Sequence, residues 1–193
     1  MMPIDIELSE LTAAGVLEPK AEWTNLARAH VSAALKAELA EKNDALIAYR
    51  QPKDEKTAHL HQQLIKLHSV VGLTIIKHKL LPNKIFELPT KQDKFDWTLG
   101  RETTVFRQDD ADYGLFVYIR DSYTSAGRVA LIVVAAILRV GVSGGQTSAF
   151  ASLVDLRTGD VVWFNLLGSG SANLRTAETA REAMKELLTD LPL

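Results

Sequence analysis

The sequence predicts an α/β (α+β) domain, a mixed sheet of about five strands with helices packed on it and a closing C-terminal helix. Three observations carry this expectation. Residues 148–167, SAFASLVDLRTGDVVWFNLL, read as two strands around a tight turn at Arg157-Thr158-Gly159-Asp160. Phe150, Ser152, Val154 and Leu156 share one face of the first strand, and Ala151, Leu153 and Asp155 the other. After the turn, Val161, Trp163 and Asn165 alternate with Val162, Phe164 and Leu166, and Gly159 supplies the positive φ the turn needs. Both faces are largely apolar, so the hairpin is expected at the centre of the sheet with helices on at least one side. The second observation is a set of long stretches with apolar residues three and four apart. The third is the strongly apolar run YGLFVY at 113–118, which reads as another strand.

The totals are those of an ordinary globular domain. The chain has 193 residues, 47% of them hydrophobic and 24% charged, which fits a single domain over 1–193 with a real core. With 22 basic and 24 acidic residues the net charge is −2, and no long run of one sign occurs. That excludes the basic footprint of a nucleic-acid binder. Cysteine is absent, so disulfides, thiolate metal sites and a Cys nucleophile are excluded as well.

In chain order, residues 3–8, PIDIEL, alternate apolar and acidic and predict a short edge strand. A loop carrying Gly15 leads to a helix over 20–42, whose buried stripe is Trp23, Leu26, Ala27, His30, Val31, Ala34 and Leu35. Residues 45–49, ALIAY, read as a short strand. A second helix over 54–79, with a possible bend at Gly72, offers Leu60, Leu64, Leu67, Val71 and Ile75 as its apolar face. Residues 79–100 read as a surface loop pinned by Phe95 and Trp97, and a short helix is expected over 101–108. Thr176 is the expected N-cap of the closing helix, whose core stripe is Ala177, Ala180, Ala183, Met184, Leu187 and Leu188.

The segment 128–142, RVALIVVAAILRVGV, is an apolar insert. Ser125 at its start and Gly141 at its end favour a helix, while its Val and Ile content keeps a strand open. A helix of this composition is apolar nearly all round and must be buried in the core, in an oligomer or at a membrane surface, with core burial the default. Its Val133 and Ile137 are the candidate interface residues. At ten residues, the uncharged run 129–138 falls short of the roughly 20 a membrane-spanning helix needs.

Motifs for chemistry fail on context. His59, His61, His68 and His78 lack the i, i+3 or i+4 spacing of metal ligands on one helix, so structural or solvent-facing roles are expected. The acidic turn Asp109-Asp110-Ala111-Asp112 lacks the calcium-loop pattern. Gly141-Val142-Ser143-Gly144-Gly145 matches G-x-S-x-G, but strand rather than helix is expected after it and no histidine follows. No catalytic, cofactor or metal residue is assigned. The densest polar cluster, Arg120, Asp121, Ser122 and Tyr123 with Arg128, is the candidate binding rim.

A resemblance attaches to ADYGLFVYIRDSYTSAGR, GGQTSAF and ASLVDLRTGDVVWFN. These stretches resemble a group of uncharacterised bacterial envelope proteins, often lipoproteins, and the likeness extends over most of 4–191. More distantly, 109–191 is similar to the TolB amino-terminal domain and the curli-secretion channel family. The resemblance implies a non-enzymatic cell-envelope protein, an accessory or assembly component that works by contact with other envelope proteins or with itself. The opening MMPIDIELSE has neither a basic nor an apolar signal region. A periplasmic or envelope location therefore requires a signal removed from upstream, and the location is otherwise cytoplasmic. The insert 128–142 departs from the wider group and is a possible membrane-surface contact. The alternative reading is a small-ligand-binding domain built on the polar cluster near Asp121.

Overall fold

The computed structural model describes residues 1–41, 47–81, 86–109, 111–168 and 173–192. A five-stranded mixed sheet lies between helices on both faces. Its strands are β1 (Asp5–Leu11), β2 (Leu17–Pro19), β3 (Tyr113–Thr124), β4 (Thr147–Asp155) and β5 (Val161–Leu166), in the spatial order β2-β1-β3-β4-β5. The β1–β3 pair is parallel, and the other three pairs are antiparallel. The expected sheet and closing helix are present, but the hairpin β4–β5 sits at one end with β5 on the edge, and β3 holds the middle place. Nor is the first strand an edge: β1 has a neighbour on each side, and the three-residue β2 forms that border instead.

Helices α1 (Ala21–Glu41) and α4 (Ala177–Leu187) cover one face. Ala27, Val31, Leu35 and Leu39 of α1 and Ala180, Ala183, Met184 and Leu187 of α4 pack on Leu8, Val117, Ile119, Ala151 and Leu153 of the sheet. Leu26, expected on the α1 stripe, is exposed. The other face carries α2 (Glu55–Ile75), which ends in a π-helical turn over Ile76–Leu80. There Leu64, Ile65 and Ile75 meet Phe116, Val154, Leu156 and Val161, and Trp97, Leu99 and Phe106 close the cluster. Being covered on both sides, β4 is apolar on both faces.

The buried stripe of α2 is rotated from the leucine stripe expected. It runs His61, Leu64, Ile65, His68, Gly72 and Ile75, while Leu67 is exposed. Gly72 is no bend. It lets the helix rest against the Phe150 ring, whose Cε2 would lie 2.0 Å from an added Cβ. Asp54 caps the helix by accepting from the Thr57 N–H at 2.8 Å.

Other expectations shift locally. Of the predicted strand 45–49, Ala45 and Leu46 lie outside the described residues and Ile47, Ala48 and Tyr49 are loop. The short helix is a 3-10 turn, Arg101–Phe106. Trp97 pins the loop before it, whereas Phe95 is exposed. A bulge in β5 pairs Leu153 with Trp163 but Val154 with Val161. It sends Val161 to the α2 face with Phe164, and Trp163 to the opposite face, so the expected sharing of one face by those two residues does not hold.

Candidate functional site: an open sheet face and an exposed apolar helix

Strand β3 runs on past the area that α2 covers, and its last residues are the candidate rim. Arg120 stands opposite Glu7 of β1 and Ser148 of β4, and Ser122 opposite Ser9. These side chains line a shallow cleft of about 290 Å³, with Gln146 and Thr147 at its border. The Arg120 guanidinium is already committed. Its Nη2 pairs with Asp5 Oδ1 at 2.7 Å, Nη1 donates to the carbonyls of Asp5 and Ile119, and the plane lies 4.5 Å over the Tyr118 ring. The pair is partly exposed, so its contribution to stability is small.

Asp121 and Tyr123 form a different structure. Asp121 is 3% exposed, and its Oδ1 accepts from Thr147 Oγ1 at 2.7 Å. The Tyr123 hydroxyl accepts from the Leu174 N–H, and its ring meets Trp23 edge-on. The Arg175 guanidinium lies 3.9 Å from the Tyr123 ring centre and 4.8 Å from that of Trp23. Burial and the neighbouring Asp121 carboxylate push the Tyr123 phenol well above its ordinary range, so it is a neutral hydroxyl at any physiological pH. This knot fastens the segment before α4 to the sheet. Arg128 joins neither group: its guanidinium donates to the carbonyls of Ser143 and Ala13. The rim therefore divides: Arg120 and Ser122 line the cleft, which Asp121 also borders, while Tyr123 belongs to the knot before α4 and Arg128 to the base of the insert.

The insert is the second feature. It forms α3 (Ala126–Ile137), so the helical alternative holds, with the Ser125 hydroxyl accepting from the Arg128 N–H at the N-cap. It ends before Gly141. The Val140 N–H donates to the Ala135 carbonyl and the Arg139 N–H to the Ala136 carbonyl, a Schellman closure with Arg139 at φ 58°. The chain then returns to β4, and its base is clamped. Gly145 N–H donates to Thr124 Oγ1, Gln146 N–H to Ser122 Oγ, and Arg128 reaches across to Ser143.

Core burial, the default expectation for this segment, is overturned. Of α3 only Ala135 is buried. Ile137 is 77% exposed, Leu138 68% and Val133 57%, and Val129, Leu131, Val134 and Val140 are open as well. The body-facing arc is Arg128, Ile132 and Ala135, and every other side of the helix presents aliphatic carbon to solvent. Folded monomeric proteins rarely leave contiguous apolar surface of this extent open to water. The sequence showed the apolar run but held no signal for its exposure. Nor did it single out Ser122, Thr124 and Gly145 as the clamp.

The remaining sequence motifs resolve as architecture. His61 bonds the Tyr49 hydroxyl at 2.7 Å and the Val105 carbonyl at 3.0 Å, and burial lowers its pKa. His68 bonds Ser152 Oγ at 2.6 Å, stacks on Phe116, and is held down to about 3 by burial. His59 is exposed and His78 is half-buried, its Nδ1 bonded to the Phe86 carbonyl; Ser143 is exposed and follows a helix and precedes a strand, the reverse of a nucleophile elbow. Asp155 accepts from the Arg157 and Thr158 N–H groups in the hairpin turn. Asp109 and Asp112 pair with Arg50 and Arg107. Among the described residues no group of three or more His, Cys, Asp or Glu side chains could hold a metal ion, and no helix is long and apolar enough to cross a membrane.

Comparison with protein-family models, with curated proteins and with solved structures gave no match.

Proposed function

We propose that this protein works by contact, as a non-catalytic accessory or assembly component of the cell envelope, and that α3 is the element that makes the contact. The observation that carries the reading is the exposure of Val133, Ile137 and Leu138 on a helix with no charge from Val129 to Leu138. Leaving such a surface in water costs about 25 cal/mol per Å² of apolar area, so a partner that covers it gains that much in return. The clamp at the base supports the same reading, because it holds the helix outward on a polar stem instead of letting it fold onto the core. The envelope part rests on the resemblance of most of 4–191 to bacterial envelope proteins and, more distantly, of 109–191 to the TolB amino-terminal domain and the curli-secretion channel family.

A photo-crosslinking residue placed at Ile137, in cells of the producing organism, tests the reading. Discrete adducts are expected at 137 and none from the same group at the exposed Lys185 of α4. Equal yields at both positions, in folded protein, would sink it. A second reading is favoured by the cleft beside Arg120: a small polar ligand held by Glu7, Ser9, Ser122 and Ser148. It predicts ligand-dependent amide shifts confined to β1, β3 and β4, and shifts confined to α3 would dismiss it.

A further inference from the structure

We infer that the partner of α3 is an anionic lipid surface, in which the helix lies along the interface with its aliphatic sides among the acyl chains and the body of the protein on the headgroup side. This rests on the reading of α3 as the contacting element and supplies the occupant. The apolar surface of the helix has no preferred row. Leu131 and Leu138 are exposed on one flank, Val133 and Ile137 at the crest, and Val129 and Ala136 on the other flank. A helix that docks in a protein groove, or pairs with another helix, carries its large anchors along one stripe and polar residues elsewhere. Here a partner of that kind covers one row and leaves the others in water. Hydrocarbon covers all three at once.

The dimensions agree. A helix with its side chains is about 10 Å across, and interfacial helices sink about 5–10 Å into the boundary between headgroups and acyl chains. At that depth only the arc of Arg128, Ile132 and Ala135, which already faces the body, stays outside the apolar layer. With 12 residues α3 is too short to cross a bilayer, which leaves seating along the surface. Its last turn also suits hydrocarbon. The N–H groups of Leu138, Arg139 and Val140 donate to the carbonyls of Val134, Ala136 and Ala135, so these polar groups need no water.

A second segment extends the surface. Residues 12–17, from the end of β1 into β2, carry no charge, and Ala13, Val16 and Leu17 are exposed. The segment lies against the base of α3: a Cβ added to Gly127 would sit 3.4 Å from that of Ala13, and Arg128 Nη1 donates to the Ala13 carbonyl. Charge sets the sign of the lipid. No Asp or Glu occurs from Ser122 to Val154, and the only charges there are Arg128 and Arg139. They bracket the apolar run, one at each end, and arginines so placed reach the headgroup layer along their own aliphatic stems. Each strengthens binding to an acidic surface by about five-fold.

The chain has no cysteine, so a fluorophore sensitive to polarity can be placed singly at Ile137→Cys, Val16→Cys and, as control, the exposed Lys185→Cys of α4. The purified full chain is mixed with phosphatidylcholine vesicles with and without phosphatidylglycerol. With phosphatidylglycerol, emission at 137 and at 16 should move to the blue and that at 185 should not. V133D/I137D, with unchanged circular dichroism, should bind at least about 10-fold more weakly, because two carboxylates would enter the apolar layer. Arg139→Gln should lose about five-fold on the acidic vesicles and nothing on phosphatidylcholine alone. No shift at 137, equal shifts at 137 and 185, or a shift at 137 that leaves 16 in water would overturn the seating. Equal binding of Arg139→Gln and wild type to the acidic vesicles would overturn its anionic character. If the vesicles do not bind but a photo-crosslinker at 137 still gives discrete protein adducts in cells, lipid is overturned and the contact reading stands. The partner is then a protein, a second copy if light scattering shows a dimer that V133D/I137D dissociates. Absence of both vesicle binding and adducts would remove both readings.

Discussion

At the scale of single residues, two side chains bear costs that can be measured. His68 lies in the core between α2 and the sheet, and burial holds its pKa near 3 against 6.5 in the unfolded chain. Between those values the unfolded state binds the proton and the folded state does not. The stability contributed by neutral His68 is therefore complete above pH 6.5 and is lost as pH falls toward 3, by about 1.4 kcal/mol per pH unit. Urea unfolding at pH 4.5 and pH 7 should show this loss in the wild type and less of it in His68→Gln. An equal loss in both would show that His68 is not the group responsible. Arg139 is the other case, a non-glycine residue at φ 58° closing α3. Arg139→Gly removes the strain of that conformation and should raise stability by about 0.5–1 kcal/mol.

At the scale of elements, α2 shows how a helix can be recognised while its inward face is misjudged. Leucines at 60, 64 and 67 make one plausible stripe, but the helix turns His61, His68 and Gly72 inward, His68 and Gly72 onto the sheet and His61 against Tyr49 and Phe106. The reason is shape and pairing. His61 and His68 each find a hydrogen-bond partner in the core, and Gly72 leaves room for Phe150, which a leucine there would displace. Gly72→Ala should cost about 1–3 kcal/mol in denaturant unfolding, because the Phe150 ring has to move within a packed core. The β5 bulge is a similar case. Strict alternation placed Val161 with Trp163, and one extra residue against β4 separated them, which period-two patterning has no means to register. By contrast, the hairpin turn, the strand at 113–118 and the Ser125 cap were legible, because each depends on chemistry local in sequence.

At the scale of the whole molecule, the legible and the hidden divide along the same line. A mixed sheet between helices follows from the apolar periods of the segments, and it is what the structure has. Strand order does not follow from them, so the hairpin could not be assigned to one end. The grouping of Arg120, Asp121, Tyr123 and Arg128 was a grouping in sequence. Alternation along β3 sends Arg120 to the open face and Asp121 and Tyr123 to the helix-covered one, and Arg128 leaves with α3. For α3 itself, composition said that the helix must be covered but not by what, and the fold leaves it uncovered by this chain.

A contact element must stand outside the core of the monomer, and α3 does. Thermal unfolding of V133D/I137D, followed by circular dichroism beside the wild type at a concentration low enough to dissociate self-associated forms, tests it most directly. A cooperative transition with Tm within a few degrees of wild type is expected, since exposed positions away from the core shift stability by about 0.5 kcal/mol or less. Loss of the folded signal, or a fall in Tm of 10 °C or more under those conditions, would mean that Val133 and Ile137 are buried in the monomer, and the contact reading would fail with it.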